Sequence, residues 1–215
     1  MERNHALENL RVSYQASRLD IDDCHSDPLH QFDLWLEQAI NSQCDEPNAF
    51  VLSTTDQGRP RSRVVLLKGV HKGKLVFYTN YLSPKGLEME KQPLVAMNFL
   101  WLPLQRQIRI EGQVSKTSPE QSDDYFQKRP RGSQLGAIAS PQGQRVPDRS
   151  TLEKMFQETE EKFRGMAILP RPENWGGYQV EPNLIEFWQG RPNRLHDRIC
   201  YFKKGDSWDR FRLGP

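Results

Sequence analysis

Long apolar runs are missing from this chain. No stretch of its 215 residues reaches the roughly 18 consecutive apolar side chains that a membrane-spanning helix needs. The opening residues, MERNHALENLRVSY, hold no apolar core of the kind a secretory leader carries, so no membrane association is expected. Cysteine is scarce. Cys24, Cys44 and Cys200 share no metal-ligand spacing with one another or with histidine, and an odd number of scattered thiols argues against a disulfide framework and fits a reducing, cytoplasmic setting. Charge of one sign is also lacking: a net charge of +2 gives no global attraction to nucleic acid or an anionic membrane. The five histidines are dispersed, so no metal site is expected. A GxGxxG turn, a Walker loop, GxSxG and HExxH are all absent, which removes the main support for four common enzyme classes.

What is present reads as one core of short strands with helices around it. Asp27 or Ser26 can cap a helix from Pro28 to about Ile40, whose Leu29, Phe32, Leu36, Ala39 and Ile40 form one apolar face. From Ala49 the period changes. AFVLSTT, RPRSRVVLLKGV and LVFYTN, separated by DQG and HKGK turns, predict an antiparallel meander. PLVAMNFLWL and LQRQIRIEGQVSK predict two more strands; in the second, Gln105, Gln107, Arg109 and Glu111 make an almost wholly polar face. Ser83-Pro84 predicts a short helix ending before Pro93, and Ser118-Pro119-Glu120-Gln121 opens another. Ser150-Thr151-Leu152-Glu153 predicts a third, to about Phe163. The stretch between the last two reads as exposed connection with a helical turn near Gln134 to Ala139. WGGYQVEP, LIEFWQG, RLHDRICYFKK and SWDRFRL then return to strands. The expectation is a mainly β, antiparallel barrel with flanking helices.

Cations sit beside these apolar runs at Arg61, Arg63, Lys68, Arg106 and Arg109. Burying a charge without a partner is costly, so a bound dianion is one reason for them and a solvated strand face another; the solvated face is preferred for Arg61 and Arg106. Arg63 and Lys68 are separated by an odd number, which would send them to opposite faces of a regular strand. Ser83-Pro84-Lys85 offers free N–H groups at a helix start, attractive to an anion. Arg194, His196 and Arg198 alternate, and as a strand would crowd one face unless an anion, or pairing with Glu186 or Asp197, separates them. Local physics leaves those readings level.

RVVLLK at 63–68, FYTN at 77–80, RPRGSQLGA at 129–137, WGGY at 175–178 and IEFWQGRPNRLHDR at 185–198 resemble the pyridoxamine 5′-phosphate oxidase pattern, in its order and spacing, over nearly the whole chain. The resemblance implies an FMN-binding split β-barrel of Greek-key-like, antiparallel strands. It implies one domain over residues 1–215, with residues 1–25 a mobile segment closing over the site. It implies a homodimer holding FMN at the subunit interface. The activity implied is a flavoprotein oxidoreductase of pyridoxine biosynthesis and vitamin B6 metabolism. Pyridoxamine or pyridoxine 5′-phosphate is oxidised by dioxygen to pyridoxal 5′-phosphate and hydrogen peroxide, with hydride passing from C4′ to flavin N5.

By the same resemblance, Arg63, Val64, Val65, Leu66, Leu67, Lys68, Tyr78, Thr79, Lys85, Gln107, Gln142, Trp188 and Arg198 would contact FMN. Lys68, Tyr125, Arg129 and Ser133 would hold the substrate phosphate, since paired cations and hydroxyls suit a dianion. Arg194, Leu195 and His196 would lie over the substrate ring, with Arg194 positioning the substrate and stabilising charge and His196 orienting more than acting as a base. Arg11 and Tyr14 would belong to the closing segment.

Two positions depart from the pattern. Pro84 stands where the family commonly has arginine, removing a contact worth about 1.5–3 kcal/mol, so weaker FMN binding is expected; equal affinity in a Pro84→Arg variant would refute it. Gly143 stands where a serine is common. Rival readings are a split-barrel reductase with another electron donor, which has no need of Tyr125, Arg129, Ser133, Arg194 and His196 together, and a non-catalytic binder of pyridoxal phosphate.

Overall fold

The computed structural model describes residues 13–215. In chain order the elements are helix α1 (Pro28–Asn41), strands β1 (Ala49–Asp56), β2 (Arg59–Leu66), β3 (Gly69–His71) and β4 (Lys74–Asn80), helix α2 (Pro84–Lys91), strands β5 (Leu94–Trp101) and β6 (Arg106–Lys116), helices α3 (Pro119–Lys128), α4 (Arg131–Ala139) and α5 (Arg149–Lys162), and strands β7 (Trp175–Gln189), β8 (Asp197–Lys204) and β9 (Ser207–Arg212). Backbone hydrogen bonds order the strands β2-β1-β5-β6-β7-β4-β3, with β8 on β7 and β9 on β8. The fold is the expected antiparallel split barrel with helices about it. No helix among the described residues is long and apolar enough to cross a membrane.

Two compact units divide the chain. One comprises Val51–Ala96 and Gly112–Pro182; the other comprises the described residues up to Phe50, Met97–Glu111 and Asn183–Pro215. In the first, β3 and β4 pair antiparallel, and β4 pairs with the start of β7 from Leu75↔Val180 to Asn80↔Trp175. Its helical side packs Phe126, Leu135, Phe163, Leu169 and Trp175 into one cluster. In the second, the end of β7 pairs with β8 from Leu184↔Phe202 to Gln189↔Asp197, and β8 with β9. Phe32, Phe99, Trp35, Phe187 and Tyr201 form its aromatic core, with edge-on pairs at 5.2–5.7 Å.

The caps follow the sequence where a short oxygen precedes proline. Asp27 accepts from Leu29 N, Ser83 from Gly86 N and Ser118 from Gln121 N. Four expectations are corrected. β7 is one strand of 15 residues, not two: its β4 ladder ends at Val180 and its β8 ladder starts at Leu184, so neither asks Pro182 for an N–H. The expected turn near Gln134 is the nine-residue helix α4, secured by Gln134 donating to Phe126 O and by Arg131 donating to the carbonyls of Phe163 and Met166. Helix α5 is capped by Asp148, which takes the N–H of Thr151 and the hydroxyls of Ser150 and Thr151, so the cap lies two residues ahead of Ser150. Strand β2 stops at Leu66, and Lys68 N turns to donate to Val76 O.

Candidate functional site

That break after Leu66 brings together what a regular strand would have separated. Arg63 and Lys68 line a single cavity of about 530 Å³, whose other walls are Val64, Val65, Leu66, Tyr78, Thr79, Lys85, Tyr125, Lys128, Arg129, Pro130, Ser133, Gln142 and Trp175. The volume lies within the ordinary range of small-ligand and cofactor sites. Among the described residues that line it, five are cations and none is a carboxylate, so the cavity is a positive recess suited to negative charge.

Aromatic rings build one wall. Tyr78 from β4 stacks on Tyr125 from α3 at 3.8 Å, and Trp175 at the start of β7 lies parallel to Tyr78 at 5.6 Å. The Arg129 guanidinium rests over the Trp175 ring at 4.6 Å. Burial holds the Tyr78 and Tyr125 phenols above their usual range, and holds Arg129 below its own. Arg129 Nη1 is buried and has no hydrogen-bond partner among the described residues. A cation in that position calls for an acceptor, because a buried donor left unpaired costs about 1–3 kcal/mol or more.

At the other end of the cavity Gln142 Oε1 accepts from Thr79 Oγ1 at 2.9 Å, Asn80 N at 3.2 Å and Lys85 Nζ at 3.2 Å. Burial, with Arg63 adding to it and Glu88 opposing, lowers the Lys85 ammonium to about 8. Arg63 is braced from behind, donating to Thr54 Oγ1 and, at 2.9 Å, to buried Glu88. Leu67 points into the core at 4% exposure and does not line the cavity.

The second unit holds the remaining predicted residues that are described. Arg194 and Asn193 both adopt left-handed backbone, with φ of 62° and 56°, in a short 3-10 turn over Pro192–Arg194. The alternation expected of Arg194, His196 and Arg198 as a strand is therefore absent; only Arg198 lies in β8. Backbone of this kind costs about 1–3 kcal/mol per residue and collects at functional sites. Arg194 and Leu195 are exposed. His196 Nδ1 accepts from Arg191 N at 3.1 Å. Burial, then Arg194, push the His196 imidazolium below its usual range against the pull of Asp197.

Arg198 is committed to Glu186, with Nε–Oε1 at 2.7 Å and Nη2–Oε2 at 3.0 Å, and Arg109 reaches the same carboxylate at 3.1 Å. Gln107 is half-buried in β6. Arg106, expected on a solvated face, instead stacks over Trp35 at 4.3 Å and donates to Gln189. Arg61 pairs with Asp56.

Tyr14 packs against Trp188 at 5.9 Å and His196 at 5.8 Å. Its segment is pinned by polar groups. Gln105 Oε1 takes the N–H groups of Gln15 and Ala16, Asp197 takes that of Leu19, and Arg191 donates to Ser17 O. Arg11 lies outside the described residues. Sequence reasoning passed over Lys128 and Trp175, although Lys128 precedes Arg129 and Trp175 opens the WGGY motif, and it gave no role to Gln105. Among the described residues no group of three or more histidines, cysteines or acids is placed to hold a metal.

The fold is thus a split barrel that carries a cation-lined, aromatic-walled recess. The structure of PhzG from Burkholderia lata, in complex with tetrahydrophenazine-1-carboxylic acid, overlays with a TM-score of 0.88 at 30% identity, covering 95% of this chain and all of that one. A pyridoxamine 5′-phosphate oxidase-related, FMN-binding protein from Nostoc punctiforme shares the fold at a TM-score of 0.70 and 16% identity, covering 88% of this chain and 98% of that one. Residues 36–163 match the family described as pyridoxamine 5′-phosphate oxidase, and residues 175–215 match the pyridoxine 5′-phosphate oxidase C-terminal dimerisation region. A pyridoxine/pyridoxamine 5′-phosphate oxidase of Legionella pneumophila is 46% identical over the full length of both chains. One of Rubrobacter xylanophilus is 50% identical, over 97% of this chain and 96% of its own.

The chain belongs to the pyridoxamine 5′-phosphate oxidase family and is an FMN-dependent oxidoreductase. The donor set fits that cofactor: a cavity with five cations and no acid among its described lining residues suits a phosphate, and the apolar segment Val64–Leu66 and the stacked rings that line the same cavity suit a flat heteroaromatic group.

Proposed function

We propose that the enzyme oxidises pyridoxamine 5′-phosphate and pyridoxine 5′-phosphate with dioxygen, giving pyridoxal 5′-phosphate and hydrogen peroxide, within vitamin B6 metabolism. The observation that carries the reading is Arg129, a half-buried cation whose buried Nη1 has no partner among the described residues, in a cavity with no carboxylate among its described lining residues. FMN, when bound, would supply the hydride acceptor for substrate C4′ and the two-electron route to dioxygen. From the alcohol, loss of the hydroxyl proton completes the aldehyde; from the amine, loss of an N–H proton completes the imine, which water hydrolyses to the aldehyde and ammonia.

The protein's part is binding and orientation. Lys68, Tyr125, Arg129 and Ser133 would hold the substrate phosphate, with Arg129 fixed in direction by its seat on Trp175. Arg63, Val64, Val65, Leu66, Leu67, Lys68, Tyr78, Thr79, Lys85, Gln107, Gln142, Trp188 and Arg198 would contact the cofactor, Leu67 through its backbone. Arg194 would place C4′ and stabilise developing charge, its strained backbone being consistent with an exposed guanidinium held for a ligand. His196 would act as a hydrogen-bond donor: with Nδ1 taken by Arg191 N and the imidazole kept neutral, its proton sits on Nε2. That supports orientation in preference to a general-base role.

The same proposal includes a homodimer with FMN between subunits, in keeping with the dimerisation-region match and with Phe202 and Phe211 exposed within it. It includes a single catalytic domain whose first residues close over the substrate, supported by the packing of Tyr14 on Trp188 and His196, and a cytoplasmic location, consistent with three free thiols. The test is to load the purified protein with FMN and follow pyridoxal 5′-phosphate and peroxide from pyridoxamine 5′-phosphate in air, with Arg194→Ala beside it. Product formation that collapses in the variant is expected. FMN binding without either product would overturn the oxidase reading and favour a different flavoprotein reaction.

A further inference from the structure

Pro84 and Gly143 are distant in sequence and meet in space. Pro141–Gln144 forms a tight turn, with Gln144 N donating to Pro141 O at 2.9 Å and Gly143 at φ +81°, the hand that a type II turn demands at its third residue. A Cβ added to Gly143 would lie 2.3 Å from Pro84 Cδ and 3.0 Å from Pro84 Cγ. Neither atom can swing aside, because both belong to a ring closed on the backbone nitrogen.

The helix start cannot retreat either. Ser83 is fully buried, donates to Asn80 O at 2.7 Å and caps Gly86, and a Cβ at Gly86 would come 2.2 Å from Tyr81 O. Any side chain at position 143 would therefore displace the turn and leave the helix in place. The turn carries Gln142, whose Oε1 receives Thr79, Asn80 and Lys85 inside the cavity.

We infer that Pro84 and Gly143 interlock as a steric pair that positions Gln142, and through it Lys85, for the phosphate-bearing cofactor. The first turn of α2 thus contributes by shape where a charged side chain would contribute by attraction. The inference rests on the reading that this cavity takes FMN through Gln142 and Lys85.

A double-mutant cycle tests it, with Gly143→Asn made in the wild-type background and in the Pro84→Ala background. Asparagine tolerates positive φ, and its residual backbone cost is common to both backgrounds and cancels. FMN dissociation constants would be read from quenching of flavin fluorescence, and melting temperatures from the apoprotein. With Pro84 in place Gly143→Asn should weaken FMN binding about tenfold, and in the Pro84→Ala background about threefold or less, a coupling of the size contacting residues show. The apoprotein melting temperature should also fall less in the Pro84→Ala background. Gly143→Ala repeats the cycle with a bare Cβ.

Equal effects in both backgrounds would overturn the interlock. Coupling in melting temperature without coupling in FMN affinity would overturn the positioning role. Failure of the wild type to bind FMN would remove the cavity assignment beneath it, and the melting cycle would still report whether the two residues interlock.

Discussion

The cavity and the Arg191–Arg198 loop are both rich in cations, yet they handle that charge in opposite ways. In the loop and the strands flanking it, carboxylates match the guanidinium groups: Arg198 and Arg109 share Glu186, while Arg191 and Arg212 share Asp197. Around the cavity, Glu88 braces Arg63 from behind, but among the described residues no carboxylate lines the recess and Arg129 Nη1 has no partner. Matched charges make a rigid frame and unmatched ones make a receptor. Arg194 sits in this loop on left-handed backbone and makes no ion pair with a carboxylate among the described residues. Variants at Arg194 should therefore alter turnover, and variants in the cavity should alter affinity.

The largest effect expected is that of Arg194→Ala, with kcat lowered about 100-fold or more, as when one preorganised charge-stabilising group is removed, and with FMN affinity unchanged; steady-state kinetics beside an FMN titration checks both halves. Next comes Arg129→Ala. Losing a charge-assisted phosphate contact of about 1.5–3 kcal/mol should raise the substrate KM roughly 10- to 100-fold with a smaller change in kcat. Arg129→Lys should recover only part of this, because a lysine cannot reproduce the planar seat on Trp175.

Lys85 gives a pH test. Its ammonium, lowered to about 8 from 10.5, is neutral in the folded apoprotein before it is in the unfolded chain. Between those values the unfolded state binds more protons, so the lysine's unfavourable contribution persists below pH 8 and is relieved as pH rises above it. FMN binding should follow the opposite course, weakening by up to about tenfold by pH 9 as the cation is lost. Lys85→Arg should flatten that slope, which a fluorescence titration across pH would show. The smallest effect should be at Gly190, where an added Cβ would sit 2.7 Å from Tyr14 Cγ. Gly190→Ala should displace the Tyr14 segment and raise KM about threefold, on the scale of one modest packing contact. Proteolysis of that segment should be faster in the variant.

The same contrast governs what the sequence could disclose. Ser83-Pro84 and Ser118-Pro119 announced their helices because a cap is a local device. The cavity was legible as a set of residue types, through Arg63, Lys68, Lys85 and Arg129, but not as a place. Period-two reasoning put Arg63 and Lys68 on opposite faces, and only the strand's end at Leu66 reunites them. The same reasoning failed at Arg194, where Pro192-Asn193 turns the chain instead of extending it; proline followed by asparagine was the available signal. Helix α4 was hidden by Gly132 and Gly136, whose poor propensity is overcome by the burial of Leu135 and the hydrogen bonds of Arg131. The meeting of Pro84 with Gly143 leaves no local pattern to read, since it depends on where a turn far along the chain comes to rest.

The most direct measurement is the rate of flavin reduction after mixing FMN-loaded protein with pyridoxamine 5′-phosphate without oxygen, across a range of substrate concentrations. The account predicts that Arg129→Ala reaches a limiting rate near that of the wild type at much higher substrate concentration. Arg194→Ala should saturate at a concentration near the wild type's with a far lower limiting rate. Both variants shifting the same parameter would contradict the division between receptor and frame, and no flavin reduction in the wild type would contradict the oxidase itself.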